Sequence, residues 1–273
     1  MRKSQILLLV LAVTMVVVLF ALPTVVVDND EGNTNFEETS GTPSAQETPD
    51  IHDSPLPEGA SQQIRNWRSA MELEESSEKF ATFADSIASQ YASAGKFDSS
   101  AYYYGLTAEK FPQIENWEKA GNAYYEAFGF ALNEEKVVYL AGKTRDYLNK
   151  VLEKDPERLD LKTKVAMTYV SSSNPMQGIT MLREVLEQDP RHELALFNMG
   201  ILSMQSGQYK RASERFEELV DYHPENMQGQ FYLGVSYFES KQKNKAKKQF
   251  QKVKDLTQDP MILTSVDNYL QQL

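Results

Sequence analysis

The sequence contains no cysteine. Disulfides, thiolate metal sites, a cysteine nucleophile and a lipid-modified N-terminal cysteine are thereby excluded, while the compartment stays open. Histidine is almost as scarce: His52, His192 and His223 stand apart from one another. There is no His-Glu-x-x-His, no Gly-rich phosphate loop and no Gly-x-Ser-x-Gly, so neither a metal nor a cofactor is expected. The carboxylates crowded at Glu72, Glu74, Glu75 and Glu78 read as a solvated helix face, and no enzyme is expected. No segment shows the strict alternation of a substantial sheet, which leaves an all-α chain. Positive charge is short as well. The net charge is −11, and the chain as a whole lacks the basic surface of a strong nucleic-acid binder.

Helical hairpins fill the space those absences leave. Residues 193–226 hold two helical patterns broken at Ser206-Gly207-Gln208 and closed by His223-Pro224. Leu196, Met199, Gly200 and Ser203 share one face of the first, and Ala212, Phe216 and Leu219 one face of the second, at spacings of three and four. Small residues stand where two helices must approach, and the proline follows the second helix, which it cannot continue. Pro156, Pro190 and Pro224 then recur every 34 residues. Self-similarity at that period is the mark of stacked helix pairs.

With each unit numbered so that its proline falls at position 32, Leu233, Gly234, Tyr237 and Ala246 take positions 7, 8, 11 and 20, and Val165, Ala166 and Tyr169 repeat the first three. Trp117 to Tyr125 (WEKAGNAYY) carries the same first-helix pattern from position 4 onward. This resembles the tetratricopeptide repeat (TPR) family over about the last two thirds of the chain. The expected fold is an all-α TPR solenoid of about five helix-turn-helix repeats, over 81–113, 114–158, 159–192, 193–226 and 227–260, with a capping helix at 261–273. Repeat one departs from the pattern at Ser100 and Thr107, where alanine is usual, which predicts a looser helix contact. Repeat two carries eleven added residues around 128–137, read as a lengthened helix pair or turn, or as a protrusion toward a partner. In repeat three Asn174-Pro175 occupies the turn and Gly178 replaces the usual alanine.

The N-terminal part is of another kind. Arg2 and Lys3 precede an uncharged run over 6–27, whose 22 residues match the about 20 that a membrane-spanning helix needs. Residues 1–27 are read as an uncleaved signal anchor, with secretion after cleavage as the alternative. Basic residues before the run and acidic ones after it predict a single-pass membrane protein with a cytoplasmic N-terminus and extracytoplasmic, periplasmic-facing repeats. Residues 28–60 contain nine Asp or Glu and no Lys or Arg. They read as a disordered linker reaching on the order of 30 Å. Ile64, Trp67, Met71 and Leu73 predict one amphipathic helix over 61–80 that covers the first repeat.

In TPR proteins the first helix of each unit lines the concave groove, and the resemblance implies that positions 2, 5, 9 and 12 point inward. Repeat four offers Leu194, Phe197, Ile201 and Met204 there, and repeat five Gln228, Phe231, Val235 and Phe238. Repeat one offers Thr82, Asp85, Ser89 and Ala92, and repeat two Glu115, Glu118, Asn122 and Tyr125, so the groove turns from polar to apolar along its length. Leu194 and Glu118 depart from the Lys, Asn and Arg set with which some TPR proteins hold a terminal carboxylate. Lys241, Lys243, Lys247 and Lys248 begin a basic patch in the second helix of repeat five, read as a solvated face or as a contact for an acidic partner, anionic lipid or the linker. The resulting expectation is a membrane-anchored scaffold or adaptor that binds a protein or peptide in its groove, within a cell-envelope complex. A self-assembly module joining as a homo-oligomer, or an accessory subunit of an envelope enzyme, are the alternatives.

Overall fold

A computed structural model describes Leu56 and residues 58–273. The expected anchor at 1–27 and nearly all of the 28–60 linker lie outside the described residues, and no helix among those described is long and apolar enough to cross a membrane. Twelve helices follow one another without a strand among the described residues: α1 Glu58–Glu72, α2 Ser77–Ser93, α3 Phe97–Lys110, α4 Ile114–Gly129, α5 Glu134–Leu152, α6 Leu159–Val170, α7 Pro175–Gln188, α8 Glu193–Gln205, α9 Tyr209–Tyr222, α10 Met227–Glu239, α11 Lys243–Leu256 and α12 Pro260–Gln271. Each packs on the next, and α6 also touches α8 as α10 touches α12, which is the neighbour-only stacking of a solenoid.

Helix ends follow the local sequence. Asn133, Asn226 and Asp259 cap α5, α10 and α12 by accepting backbone N–H bonds of 2.8, 2.6 and 2.8 Å. Pro175 and Pro260 begin α7 and α12, where a missing N–H costs nothing. Three equivalent turns need a left-handed residue, supplied by Gly95 (φ 74°), Gly207 (φ 71°) and, in repeat five, by Lys241 (φ 61°).

Glycine also sets how closely the paired helices approach. A Cβ at Gly121, Gly200 or Gly234 would meet Leu148 at 2.3 Å, Phe216 at 2.6 Å or Phe250 at 2.6 Å. Repeat three exchanges the roles: Ala166 stands in its first helix and Gly178 in its second, where a Cβ would lie 2.3 Å from the Ala166 carbonyl oxygen.

Three expectations are corrected. The N-terminal helix begins at Glu58 and ends at Glu72, and α2 starts at Ser77, so 61–80 is not one helix. The buried stripe begins at Ala60 and continues through Ile64 and Met71, while Leu73 lies in the break and is 87% exposed. Repeat one is not loosely packed: Ser100 and Thr107 are buried, and the Thr107 hydroxyl donates to the Tyr103 carbonyl at 3.2 Å. The added residues of repeat two go mainly into longer helices, since α4 has 16 residues and α5 has 19 against 13 and 14 in α8 and α9.

Candidate functional site

The first helices of the repeats, α2, α4, α6, α8 and α10, form a row whose side chains meet across successive units. At the N-terminal end those meetings are polar. Lys119 pairs with Asp85 at 3.1 Å, and the Lys164 ammonium donates to the Asn122 side-chain oxygen at 2.6 Å. Arg158 grips Glu118 through two bonds of 2.9 and 2.6 Å and also binds Asp160 at 3.1 Å. The Arg158 hydrogen bond holds the Glu118 carboxyl below the usual carboxylate range. Burial pushes the Lys164 ammonium below the usual lysine range despite the pull of Asp160 and Glu118.

At the C-terminal end the same row is aromatic. Tyr232 lies edge-on to Phe197 at 5.9 Å and stacks on Phe216 at 5.9 Å. Tyr269 of α12 meets Phe238 at 5.1 Å and Phe231 at 6.2 Å, edge-on in both cases, and stacks on Phe250 at 5.1 Å. Of the residues expected to line an apolar groove, Phe197, Ile201, Met204, Phe231 and Phe238 are partly buried against this core, and Leu194 is partly buried outside it. Val235 is a correction: at 6% exposure it belongs to the core and has little surface left for a partner. The polar-to-apolar change along the row is present, and a large share of it is spent on joining repeats.

The lysines of α11 do not form one surface. Lys241 sits in the turn; Lys243 donates to the Leu273 backbone oxygen at 3.1 Å; Lys245 pairs with Glu217 at 3.1 Å, and Lys254 with Asp267 at 2.7 Å. Glu217 also accepts from the Tyr237 hydroxyl, which burial and that carboxylate push above the usual phenol range. Lys247, Lys248 and Lys252 remain exposed on the outer face without an ion pair. A shallow depression of about 430 Å³ lies against Lys241 to Lys245 at the turn, away from the helix row. Among the described residues no group of His, Asp and Glu is placed to hold a metal.

Sequence reasoning passed over the residues at position 6 of repeats two, three and five. Lys119, Lys164 and Tyr232 occupy it, and each reaches back to the preceding first helix, setting whether that junction is ionic or aromatic. Their recurrence at one register position was the available signal. The sequence was also silent on how exposed the turn of repeat two is: Leu132 is 84% exposed, and Phe130, Val138 and Tyr139 are about half exposed or more.

A stacked array of helical hairpins presenting one row of first helices defines an α-solenoid of the binding-scaffold class. Its fold is the all-α fold of tetratricopeptide repeats. Residues 146–250 match the family profile described as "Surface lipoprotein assembly modifier, N-terminal TPR repeats". No curated protein matches the chain. Among solved structures it is similar to TTC0263, a thermophilic TPR protein of Thermus thermophilus, at 12% identity and a TM-score of 0.52, over 68% of this chain and 97% of that one. It is also similar to a tetratricopeptide repeat protein of Parabacteroides merdae ATCC 43184, at 14% identity and a TM-score of 0.48, over 78% of this chain and 91% of that one.

Proposed function

We propose that the chain is a non-catalytic scaffold held at the cell envelope by its N-terminal segment. Its row of first helices takes an apolar stretch of a partner protein, laid against α8 and α10. The observation that carries this reading is the partly exposed face formed by Leu194, Phe197, Ile201 and Met204 on α8 with Phe231 and Phe238 on α10. Such a face fits an amphipathic helix or extended peptide with spaced apolar anchors. The ionic N-terminal end of the row would fix which end of that peptide lies where, because mismatched charge is costly there. The likeness of residues 146–250 to the repeats of a surface lipoprotein assembly modifier supports an envelope setting. So does the 6–27 run with basic residues before it and acidic ones after, which favours a single-pass anchor with the repeats outside the cytoplasm.

The test is photocrosslinking in native membranes from Phe197 and Phe231, with Asp85 as the control position and mass spectrometry of the products. A distinct protein caught from both aromatic positions and not from Asp85 is the expected result. Products confined to the chain itself would sink the scaffold reading.

A further inference from the structure

Two surfaces away from α8 and α10 keep large exposed areas, and they are complementary. The first is the tip of repeat two. Phe130 and Leu132 in its turn and Val138 and Tyr139 on the first turns of α5 expose large apolar area together. Single exposed apolar residues are ordinary, but four on one tip mark an interaction surface. This tip is held rigidly. Phe130 stacks on Phe97 at 4.3 Å, Asn133 caps α5, and Lys136 forms a 2.9 Å ion pair with Asp98 that is largely shielded from solvent. Glu134 and Glu135 stand exposed beside the apolar residues without an ion pair.

The second surface is the outer face of α11. Lys248, Lys252 and Leu256 recur every four residues and so form one stripe. It ends near Met261, which is 81% exposed. The nearby carboxylates are engaged locally: Asp255 accepts from the Gln251 amide at 3.2 Å, and Asp259 caps α12. Among the described residues Lys248 and Lys252 have no ion pair, and an apolar step stands next to them.

We propose that copies of this chain join head to tail, the tip of repeat two in one copy seated on the α11 stripe of the next. Val138 and Tyr139 meet Leu256 and Met261, while Glu134 and Glu135 meet Lys248 and Lys252. The charge pattern points to a second copy, because Glu134 and Glu135 stand exposed beside one apolar patch and Lys248 and Lys252 beside the other. The contact uses two different patches, so it builds a ring or an open row of copies and not a two-fold dimer. The exposed Gln62, Gln63 and Asn66 of α1 and Thr264, Asn268 and Gln271 of α12 are polar, which disfavours end-to-end stacking. Both surfaces lie outside the row of first helices, so this contact stands or falls independently of the scaffold reading.

The absence of cysteine makes the test direct. Full-length Leu132→Cys and Met261→Cys chains are purified in detergent, mixed and treated with a short bis-maleimide, with a Leu132→Cys and Gln63→Cys mixture as control. The expected product is the Leu132–Met261 heterodimer. Its yield falls about ten-fold when the Leu132→Cys chain also carries E134K and E135K, and returns when its partner carries K248E and K252E. A yield no higher than the control, a predominant Leu132–Leu132 product, or no rescue by the reversed pair would each overturn the proposal.

Discussion

Glycine is not interchangeable among the helices of this chain. Gly178 allows the two helices of repeat three to touch backbone to side chain, and an added Cβ would stand 2.3 Å from the Ala166 carbonyl oxygen and 2.7 Å from the Val170 nitrogen. Neither atom can give way without moving a helix. Gly178→Ala is expected to destabilise by about 2 kcal/mol, seen as a fall of about 5 °C in Tm. At Gly142 in α5 nothing lies within 4 Å of the same added atom. Gly142→Ala is expected to stabilise by about 0.5–1 kcal/mol through helix propensity alone, so thermal unfolding of the two variants should shift in opposite directions. Lys241 is the third case. It holds φ 61° at the turn where repeats one and four use glycine, a conformation costing a side chain about 1 kcal/mol. Lys241→Gly should raise Tm, and a fall would show that the lysine makes a compensating contact.

Among the elements, α12 shapes the proposed site most. It fills the place of a sixth first helix, burying Val266 and laying Tyr269 across Phe231, Phe238 and Phe250. Tyr269→Ala is expected to cost about 2 kcal/mol, since the tyrosine is only partly buried, and to raise the exposure of Phe231 and Phe238. Increased photocrosslinking from Phe231 alongside a lowered Tm would report both effects. A capping helix was legible from Met261 to Leu270 by its spacing, as the hairpins were from three prolines 34 residues apart. Less legible was how far a neighbouring helix buries a groove position. Val235 and Phe238 look alike in register, yet one is in the core and the other keeps part of its surface exposed, because burial there depends on which residue of the next unit reaches back. The start of α1 was hidden for a simpler reason. Ala60 opens its buried stripe, and an alanine in an acidic, proline-bearing stretch carries almost no periodic signal.

At the scale of the whole array, stability is a sum of repeats and junctions, and the junctions here are unequal. Repeats two and three are tied by Arg158, which closes repeat two and holds both Glu118 and Asp160, and by Lys164 to Asn122 and Arg145 to Thr168. Repeats four and five are tied by Asn226, which bonds Glu193 and caps α10 at Gly229, by Lys245 to Glu217 and by the stacked Phe216 and Tyr232. Between repeats three and four the buried contact is made by Leu182, Val185, Ala195 and Met199, without an aromatic pair. Arg191 lies over the Tyr222 ring at 4.8 Å and its carbonyl oxygen meets His223 at 2.7 Å, but among the described residues no side-chain hydrogen bond or ion pair links 159–188 to 193–222, and of the second-to-first helix junctions between repeats, that of α7 with α8 is the slightest. The weak seam therefore falls near Asp189 to His192. Native-state hydrogen exchange should divide there, with α8 to α12 losing protection as one block and α2 to α7 as another. Phe250→Ala, which empties a fully buried site in α11, should speed exchange throughout α8 to α12 while leaving α2 to α7 unchanged. If protection from residue 58 to the C-terminus were instead lost in a single step, and Phe250→Ala sped exchange equally everywhere, the ties across that seam would have to be as strong as those on either side.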